Sequence, residues 1–175
     1  MKSTGVIRRI DDLGRIVIPK EIRKNLRMKE GDNLEIYINS EDLILKKYSH
    51  LKNISDIAQE LSDTISTYLD KTVLVTDTDS VIAMTGKNKR KYINKNLSKY
   101  LIQCIQRRQT FIEIVTKKIE FVEGEVENCN YLLSTIIANS EVVGSIVIFS
   151  NEEKLVEEEF KIANIAASFI AKYLE

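Results

Sequence analysis

The sequence predicts an α+β protein in which a small N-terminal β unit precedes a larger domain of antiparallel strands and flanking helices. Short β-branched runs alternate with turns over residues 1–48. Apolar residues recur three and four positions apart over residues 49–70, as in an amphipathic helix. Short apolar strands, polar turns and a long terminal helix follow over residues 71–175, and we expect the junction helix to pack with this last domain.

The first strands are predicted to form a hairpin around the turn Asp11-Asp12-Leu13-Gly14. Val6-Ile7 precedes the turn and Ile16-Val17-Ile18 follows it, and β-branched side chains favour strands. The glycine of the turn permits a positive φ. Pro19 lacks the N–H that a strand ladder needs, and its fixed φ suits the start of a helix. A short helix is therefore expected over Lys20–Leu26.

Two further strands complete this unit, at Leu34–Ile38, where polar and apolar residues alternate, and at Leu43–Leu45. Four short strands and one short helix are below the size at which a single core normally suffices. No disulfide framework or metal-ligand set is evident here. We therefore expect an obligate dimer in which the strands of two chains interleave.

The charge of the first 30 residues is the next signal, with nine bases against four acids, a balance of +5. Such clustering on a small unit is typical of a phosphate-binding surface. Ordinary solvated charge is the alternative, because 30% of the whole chain is charged. Residues 151–175 carry six acids and three bases, so the formal net charge of +0 hides the basic N-terminus.

A family resemblance covers residues 1–48 without a gap. It is carried by Thr4-Gly5, Arg8, Asp11, Leu13-Gly14-Arg15, Val17-Ile18-Pro19, Glu21, Arg23, Leu26, Gly31-Asp32, Leu34-Glu35-Ile36 and Ile44-Leu45-Lys46-Lys47-Tyr48. These residues resemble the N-terminal domain of AbrB-type transition-state regulators. The resemblance implies a swapped-hairpin β-barrel dimer that binds double-stranded DNA.

The DNA-contacting positions of that family fall on Arg8, Arg9, Arg15, Arg23 and Lys24. Lys24 stands where the family usually has arginine, and Arg9 where it usually has lysine, so the charge is kept. A lysine neutralises phosphate but lacks the bidentate fork that arginine offers to guanine. We therefore expect Lys24 to contact phosphate, and the set as a whole to give a loose, A·T-leaning readout of DNA shape.

The predicted junction helix carries its apolar residues on one face, namely Ile54, Ile57, Ala58, Leu61, Ile65 and Tyr68. Its polar face holds Asp56, Glu60, Asp63 and Thr67. Two interpretations stay open. The helix is either an ordinary core helix of the C-terminal domain or a lever that couples ligand or oligomer state to the N-terminal unit.

Beyond residue 70, apolar runs predict six strands at residues 72–76, 81–85, 111–115, 119–122, 131–138 and 142–149, with a helix at 97–105. Polar loops are expected at 86–91 and 123–130. Ser150 and Glu153 have the spacing of a capping box, so the final helix is expected to begin there.

The final helix has two apolar stripes. The first contains Val156, Phe160, Ala163, Ala167, Ile170 and Leu174, and the second contains Leu155, Ile162, Ile165, Phe169 and Tyr173. A helix with two such stripes needs two partners. One is expected to be its own sheet, and the other the same helix of a neighbouring subunit.

This order of elements resembles a GAF domain over about residues 52–175, and the whole chain resembles the stage V sporulation protein T family. The best local motifs lie at 136–139 and 142–150. The resemblance implies a sensor fold, a homotetramer built through paired GAF domains, and a transcription regulator, activator or repressor, of late, forespore sporulation genes. It carries over no ligand-contacting residue, so no cofactor is predicted and the small-molecule ligand that the fold suggests stays unidentified.

The sequence does not favour an enzymatic site. The one histidine, His50, lies in the linker, so neither a metal site nor a hydrolase triad is expected. Cys104 is predicted on the apolar side of a helix, whereas Cys129 is predicted in a polar loop and is the better reactive candidate. Residues 1–30 lack the apolar core of a signal peptide, and no run approaches a membrane span, so a cytoplasmic, nucleoid-associated protein is expected.

Two alternatives stay open for the function. Swapped-hairpin domains also serve as antitoxins, whose short tail wraps a toxin. The other alternative keeps DNA binding but makes the C-terminal domain a pure oligomerisation module, which would raise the effective concentration at paired sites.

Overall fold

The structure, a computed structural model, describes residues 4–86 and 88–175. The chain forms two compact units, of which the first ends at Tyr48 and the second begins at Ser49. Two predicted features, Lys2 of the basic set and Lys87 of the loop at 86–91, lie outside the described residues.

The first unit contains one helix and a two-stranded sheet. Helix α1 (Lys20–Asn25) follows Pro19, and strands β1 (Leu34–Asn39) and β2 (Asp42–Lys47) pair antiparallel, with Tyr37 opposite Ile44. The helix and both strands lie where the sequence predicts them.

The turn in residues 4–18 is formed as predicted, but its flanking strands are not. The N–H of Gly14 donates to the Asp11 carbonyl at 3.0 Å, and the N–H of Asp11 donates to the Arg15 carbonyl at 3.1 Å. Gly14 has φ 75°, which completes a tight hairpin loop. The arms at Val6-Ile7 and Ile16–Ile18 have no strand structure. A ladder needs a paired neighbouring strand. Among the described residues the arms are bonded to each other only at the loop, and the β1-β2 sheet has no third strand.

No side chain is buried within residues 4–48. The apolar residues of the arms and of β1 face solvent, as shown by exposed fractions of 87% for Ile7, 73% for Val17 and 82% for Ile38. The first unit therefore has no core of its own within a single chain.

The second unit begins with a 3-10 turn (Leu51–Ile54) that leads into helix α2 (Ser55–Leu69). Its strands are β3 (Thr72–Thr76), β4 (Val81–Met84), β5 (Phe111–Val122), β6 (Glu125–Ala138) and β7 (Glu141–Ser150). Its further helices are α3 (Lys89–Tyr92), α4 (Lys99–Gln106) and α5 (Glu157–Leu174). The strands form one antiparallel sheet in the order β4-β3-β7-β6-β5. The predicted α+β class is confirmed.

Helices cover both faces of this sheet. On one face, Ala58 of α2 and Ile170 of α5 pack into a core with Ile146 of β7. On the other face, Tyr92 of α3 and Leu101 of α4 lie in a second core with sheet residues that include Phe121 and Tyr131. Because side chains on both faces of β7 are buried, one face in each core, this strand is apolar along most of its length.

A close approach of β3 and β7 requires glycine at position 144. A Cβ on Gly144 would lie 1.9 Å from the Thr76 carbonyl oxygen and 2.5 Å from a methyl of Leu51. Thr76 and Leu51 therefore leave no room for a side chain at position 144.

Three local predictions in the second unit are wrong. The strands expected at 111–115 and 119–122 are one strand, β5, with an irregular register between Glu113 and Lys117, because β6 pairs with it on both sides of the irregularity. The loop expected at 123–130 is a turn at Glu123-Gly124, after which β6 begins at once. The loop expected at 86–91 contains the start of α3, which buried Tyr92 anchors.

The final helix begins later than predicted. Its N-cap is Val156, whose N–H donates to a Glu159 carboxylate oxygen at 2.7 Å. The hydroxyl of Ser150 instead accepts from the N–H of Glu153 at 3.0 Å, which forms a turn and no capping box. Buried Leu155 then donates its N–H to the side chain of Asn130 at 2.8 Å, and this bond delays the helix.

The apolar faces of α2 and α5 differ in how far they are covered. Tyr68, predicted on the α2 core face, is 84% exposed, because the buried stripe runs through Ala58, Ser62 and Ile65. The first stripe of α5 packs on the sheet through Ala163, Ala167 and Ile170. In the second stripe Leu155 is buried and Ile162 packs partly buried against the same core, whereas Ile165, Phe169 and Tyr173 are exposed.

Candidate nucleic-acid interface

The turn of the first unit is organised by one carboxylate, that of Asp11. One of its oxygens accepts from the N–H of Leu13 at 3.1 Å and from the N–H of Arg15 at 2.7 Å. The other accepts from Nε of the Arg15 side chain at 2.7 Å. The backbone N–H of Arg15, followed by its side chain, holds the pKa of Asp11 below its usual value. The carboxylate is therefore charged at neutral pH and fixes both the loop and Arg15.

Arg15 keeps most of its guanidinium in solvent despite this bond, since its side chain is 71% exposed. Asp11 engages the Nε edge, which leaves the terminal amino groups pointing outward as possible donors. A guanidinium held in this way loses less rotamer freedom when it contacts an anion. Sequence reasoning selected Arg15 but missed Asp11, although an aspartate at the first position of a turn and a glycine at the fourth is a recognisable signal.

Arg8 and Arg9 lie on the arm that precedes the turn, and both are exposed. Among the described residues, the Arg8 side chain makes one hydrogen bond, from its Nη1 to the Ile7 carbonyl at 3.0 Å. Both side chains are therefore accessible to an anion.

Arg23 and Lys24 lie in the last turn of α1. Cations are favoured there by the helix dipole, just as Glu21 is favoured in the first turn. The N–H of Arg23 donates to the Pro19 carbonyl at 3.0 Å, so the helix starts directly from the end of the second arm. All five predicted contact residues are thus exposed within one small unit, on the two hairpin arms and on the helix that follows them.

The turn after α1 is fixed by a second carboxylate. Asp32 accepts from the N–H of Lys29 at 2.7 Å and forms an ion pair with Lys47 of β2 at 3.2 Å. Lys46 lies over the Tyr37 ring, with Nζ 4.6 Å from the centroid. The ion pair between Asp32 and Lys47 connects the turn after α1 to the β1-β2 sheet.

The two cysteines of the second unit are both buried free thiols. Cys129 lies in β6 rather than in a loop, so its prediction as the reactive thiol is wrong. Burial, followed by the nearby charge of Glu127, raises the pKa of Cys129 to about 12. Burial also raises the pKa of Cys104. Both therefore remain protonated and poorly nucleophilic at neutral pH.

The cavities of the second unit include two that differ in their lining residues. One of about 330 Å³ is lined by Tyr100, Gln103, Cys104, Arg107, Gln109 and Phe111. The hydroxyls of Tyr100 and Tyr131 share a hydrogen bond of 2.5 Å beside it. The other, of about 460 Å³, contains buried Lys71, which forms an ion pair with Glu153. Within residues 4–86 and 88–175, no group of three or more His, Cys, Asp or Glu could hold a metal ion.

Comparison with known proteins identifies the family. The family described as Stage V sporulation protein T C-terminal, transcription factor, matches residues 53–175. The stage V sporulation protein T of Bacillus subtilis (strain 168) is 42% identical over 177 residues, which cover 100% of this chain and 99% of that protein. The chain belongs to the stage V sporulation protein T family. It is therefore a transcription regulator, and the resemblance drawn from its sequence is confirmed.

The N-terminal unit has its own relatives. The transition state regulatory protein AbrB of the same organism is 58% identical over 48 residues, which are 27% of this chain and 50% of that protein. The family described as Antidote-toxin recognition MazE, bacterial antitoxin, matches residues 7–53.

The second unit has the fold of a GAF domain. The solved GAF domain of the nutrient sensor CodY from Clostridium difficile aligns with a TM-score of 0.51 and 12% identity, covering 70% of this chain and 92% of that one. In the part of the chain that the structure describes, no helix combines the length and apolarity needed to cross a membrane.

Proposed function

We propose that this chain regulates forespore sporulation genes by binding duplex DNA through a basic face of a dimeric N-terminal barrel. The observation that carries the proposal is the placement of Arg8, Arg9, Arg15, Arg23 and Lys24, all exposed on a unit that is basic and has no core of its own. Membership of a transcription-factor family supports the same role.

The proposed dimer follows from the exposed apolar arms. Val6-Ile7 and Ile16–Ile18 are β-branched runs that lack strand partners within their own chain. Exchange of hairpins between two chains would supply those partners and bury the apolar side chains in a shared barrel. Both subunits would then contribute their basic residues to one protein surface.

A tetramer is proposed through the second unit. Ile165, Phe169 and Tyr173 form an apolar stripe along α5, in which the Phe169 and Tyr173 rings lie 6.4 Å apart. A monomer gains nothing from holding such a stripe in water, whereas the same stripe on a neighbouring subunit would cover it. This pairing would join two N-terminal dimers.

The binding of DNA is proposed to depend mainly on phosphate contacts. Arginine and lysine set the affinity, while groove shape and a few arginine contacts to base edges set the sequence preference. No Asn or Gln stands among the five proposed contact residues to read adenine directly, so we expect a loose preference for A·T-rich shape.

The second unit is proposed to act without enzymatic chemistry, as an oligomerisation module that also senses a small molecule. The cavity beside Tyr100 and Arg107 would suit a small ligand with an anionic group, since Arg107 supplies a cation at its wall. In this proposal α2 transmits ligand or oligomer state to the N-terminal unit. The regulator itself would act in the cytoplasm at the nucleoid.

An antitoxin-like role is the second candidate, favoured by the match of residues 7–53 to an antitoxin family. Antitoxin tails are normally short and disordered, whereas residues 49–175 carry a two-faced core. Limited proteolysis separates the two candidates. Rapid loss of the chain beyond residue 49 would favour the antitoxin, and a protected fragment of that region would favour the regulator.

Salt titration of DNA binding tests the leading proposal. A dimer that neutralises roughly six phosphates should give a log–log slope of about −5 for affinity against salt. Arg15→Ala should weaken binding and leave folding intact, while the charge-matched control Lys20→Ala should bind more tightly than Arg15→Ala. A flat salt response would refute DNA binding, and equal affinities of the two variants would remove Arg15 from the contact set.

Native mass spectrometry of the full-length chain tests the sensor. A tetramer that carries a small mass, lost on denaturation, would identify a captured ligand. A bare tetramer would favour oligomerisation alone, and a plain dimer would contradict the proposed pairing of α5.

A further inference from the structure

The second unit carries a concentration of positive charge that its overall composition conceals. Between Asp79 and Glu113 the sequence contains eight Lys and Arg residues and no Asp or Glu. Five of the eight lie at Lys89, Arg90, Lys91, Lys95 and Lys99, in the stretch 88–99 that we call the basic segment. Along the chain this stretch is therefore more uniformly positive than the N-terminal unit, in which acids interrupt the bases. The acids that the fold brings next to it come from neighbouring elements and include Asp79, Glu123, Glu125 and Glu127.

The cations of the basic segment face solvent, and most have no acidic partner. All five side chains are exposed. Lys91 forms a long ion pair with Glu125, at 3.8 Å. Within residues 4–86 and 88–175, Lys89, Arg90, Lys95 and Lys99 form no salt bridge. Their charges are thus available to an external anion and are not used to stabilise the fold.

The backbone that carries these cations is held to the sheet at several points. Tyr92 and Leu97 are buried, and the Tyr92 hydroxyl donates to Glu127 at 2.7 Å. The Lys95 carbonyl accepts from the N–H of Val81 at 3.1 Å, and the N–H of Ser98 donates to the Phe121 carbonyl at 2.9 Å. The cations therefore project from a fixed scaffold, which reduces the ordering cost of binding an extended anion.

The composition of the surface indicates what kind of polyanion it suits. The lysines of the segment provide donors to phosphate oxygens. Donors to phosphate and sugar oxygens also come from its exposed asparagines, Asn88, Asn94 and Asn96. Single-strand binding depends on aromatic side chains that stack on bases. Tyr92 is buried, and Tyr100, which follows the segment and is 39% exposed, is held by a hydrogen bond between its hydroxyl and that of Tyr131. The surface therefore fits a duplex backbone better than a single strand.

We infer that the basic segment of the second unit is a further contact surface for the phosphate backbone of duplex DNA, separate from the five residues of the N-terminal unit. The inference rests on the proposed DNA binding of the whole chain. It makes the GAF-like unit a direct contributor to affinity, in addition to any role in assembly or sensing. Because lysine and asparagine here meet phosphates, the contribution should be independent of sequence.

The test compares two full-length variants that lose the same charge. Lys89→Gln, Arg90→Gln and Lys95→Gln are combined in one variant, which keeps Lys91 with its Glu125 partner and Lys99 at the start of α4. The control combines Lys118→Gln, Lys154→Gln and Lys172→Gln, three exposed lysines of the same unit outside the segment. Affinity for a linear duplex several helical turns long is measured between about 50 and 200 mM salt, together with the thermal melt of each variant.

The inference expects the segment variant to bind the duplex about tenfold more weakly than the control, with a log–log salt slope smaller in magnitude by about 2 for a dimer that loses one phosphate contact per subunit. Equal affinities and slopes for segment variant and control would overturn it while leaving the proposed N-terminal binding intact. A larger loss on the matching single strand than on the duplex would overturn the assignment to duplex DNA. Wild-type protein without salt-dependent binding would instead refute the proposed function itself, and this inference with it.

Discussion

The carboxylate of Asp11 binds both the main chain and the side chain of Arg15, with two hydrogen bonds of 2.7 Å. The pair lies at the two ends of the loop closed by Gly14. An acid in a basic surface usually weakens the attraction to DNA. Here the acid also positions a proposed contact residue, so the two effects of removing it have opposite signs.

Replacing Asp11 should show which effect is larger. We expect Asp11→Ala to weaken DNA binding by about fivefold, because the loop and the Arg15 guanidinium lose a fixed, charge-assisted contact. The neighbouring acid offers a matched control, since Asp12→Ala removes the same charge without these bonds and should bind as well as wild type or slightly better. Measured affinities at one salt concentration decide, and equal behaviour of the two variants would show that Asp11 acts only through its charge.

Introducing charge into the exposed stripe of α5 should dissociate the proposed tetramer. Phe169→Glu would place a carboxylate where an apolar partner is expected, at a position that is 50% exposed in the single chain. Sedimentation should report a dimer for this variant. Ser168→Glu, on the same helix but off the stripe, should remain a tetramer. A tetrameric Phe169→Glu variant would mean that another surface joins the dimers.

The thiol of Cys129 should resist alkylation in the folded protein. Its pKa, raised to about 12, leaves almost no thiolate at pH 8, and the side chain is fully buried. Peptide mapping after iodoacetamide treatment should find Cys129 unmodified in native protein and modified after unfolding in guanidinium. Rapid labelling of the native protein would show that β6 opens locally near its N-terminal end.

The raised pKa of Cys129 also predicts how the free energy of unfolding changes at alkaline pH. The thiol of Cys129 ionises near its ordinary pKa of 9.0 in the unfolded chain but only near 12 in the folded one. Above pH 9 the unfolded state releases a proton that the folded state keeps, so the free energy of unfolding should fall as pH rises toward 12. Burial raises the pKa of Tyr131 as well, which acts in the same direction. Urea titrations at pH 7.5 and pH 10 measure the loss, and Cys129→Ala should reduce it.

Gly144→Ala should destabilise the second unit strongly. The new methyl would overlap the Thr76 carbonyl, 1.9 Å away, and the strands on both sides of it cannot shift freely. We expect a loss of about 3 kcal/mol in the free energy of unfolding, the upper part of the range for overpacking. Gly124→Ala has no atom within 4 Å of its new Cβ but a φ of +85°, so only backbone strain of about 1 to 2 kcal/mol is expected. The reverse order in urea unfolding would contradict the packing at Gly144.

The sequence predicted the elements whose pattern is local. Alternation located β1, a continuous apolar run located β7, and Pro19 marked the start of α1. Those signals depend on residues a few positions apart, and they fixed the order of helices and strands well enough to identify a GAF-like unit.

Errors arose where a distant residue decides local structure. The start of α5 depends on Asn130 of β6, whose side-chain oxygen accepts a hydrogen bond from the N–H of Leu155. Cys129 was misplaced because residues 123–128 are mostly polar and include Gly124, so this stretch resembles a loop in sequence although β6 already begins at Glu125. The arms of the hairpin lack strand structure because nothing in the same chain pairs with them.

The sequence predicted the residues of the candidate site more completely than the contacts that hold them in place. All five proposed contact residues come from the family resemblance, whereas the bonds of Asp11 to Arg15 and the basic segment were not predicted. The basic N-terminus and the acidic C-terminus dominate the charge pattern, while the acid-free stretch between Asp79 and Glu113 lies in the middle of a chain whose net charge is zero.

The absence of buried side chains over residues 4–48 has a consequence for the life of the protein in the cell. In the proposed dimer, this unit would draw its folding free energy from contacts between chains, so its folding would be a second-order process that dilution opposes. The unit from Ser49 onward has its own core and can fold first, on its own chain. If that unit then pairs, it tethers two unfolded N-termini at high local concentration and converts their assembly into a first-order step. DNA-binding competence would then rise and fall with the assembly of the second unit, even without a ligand.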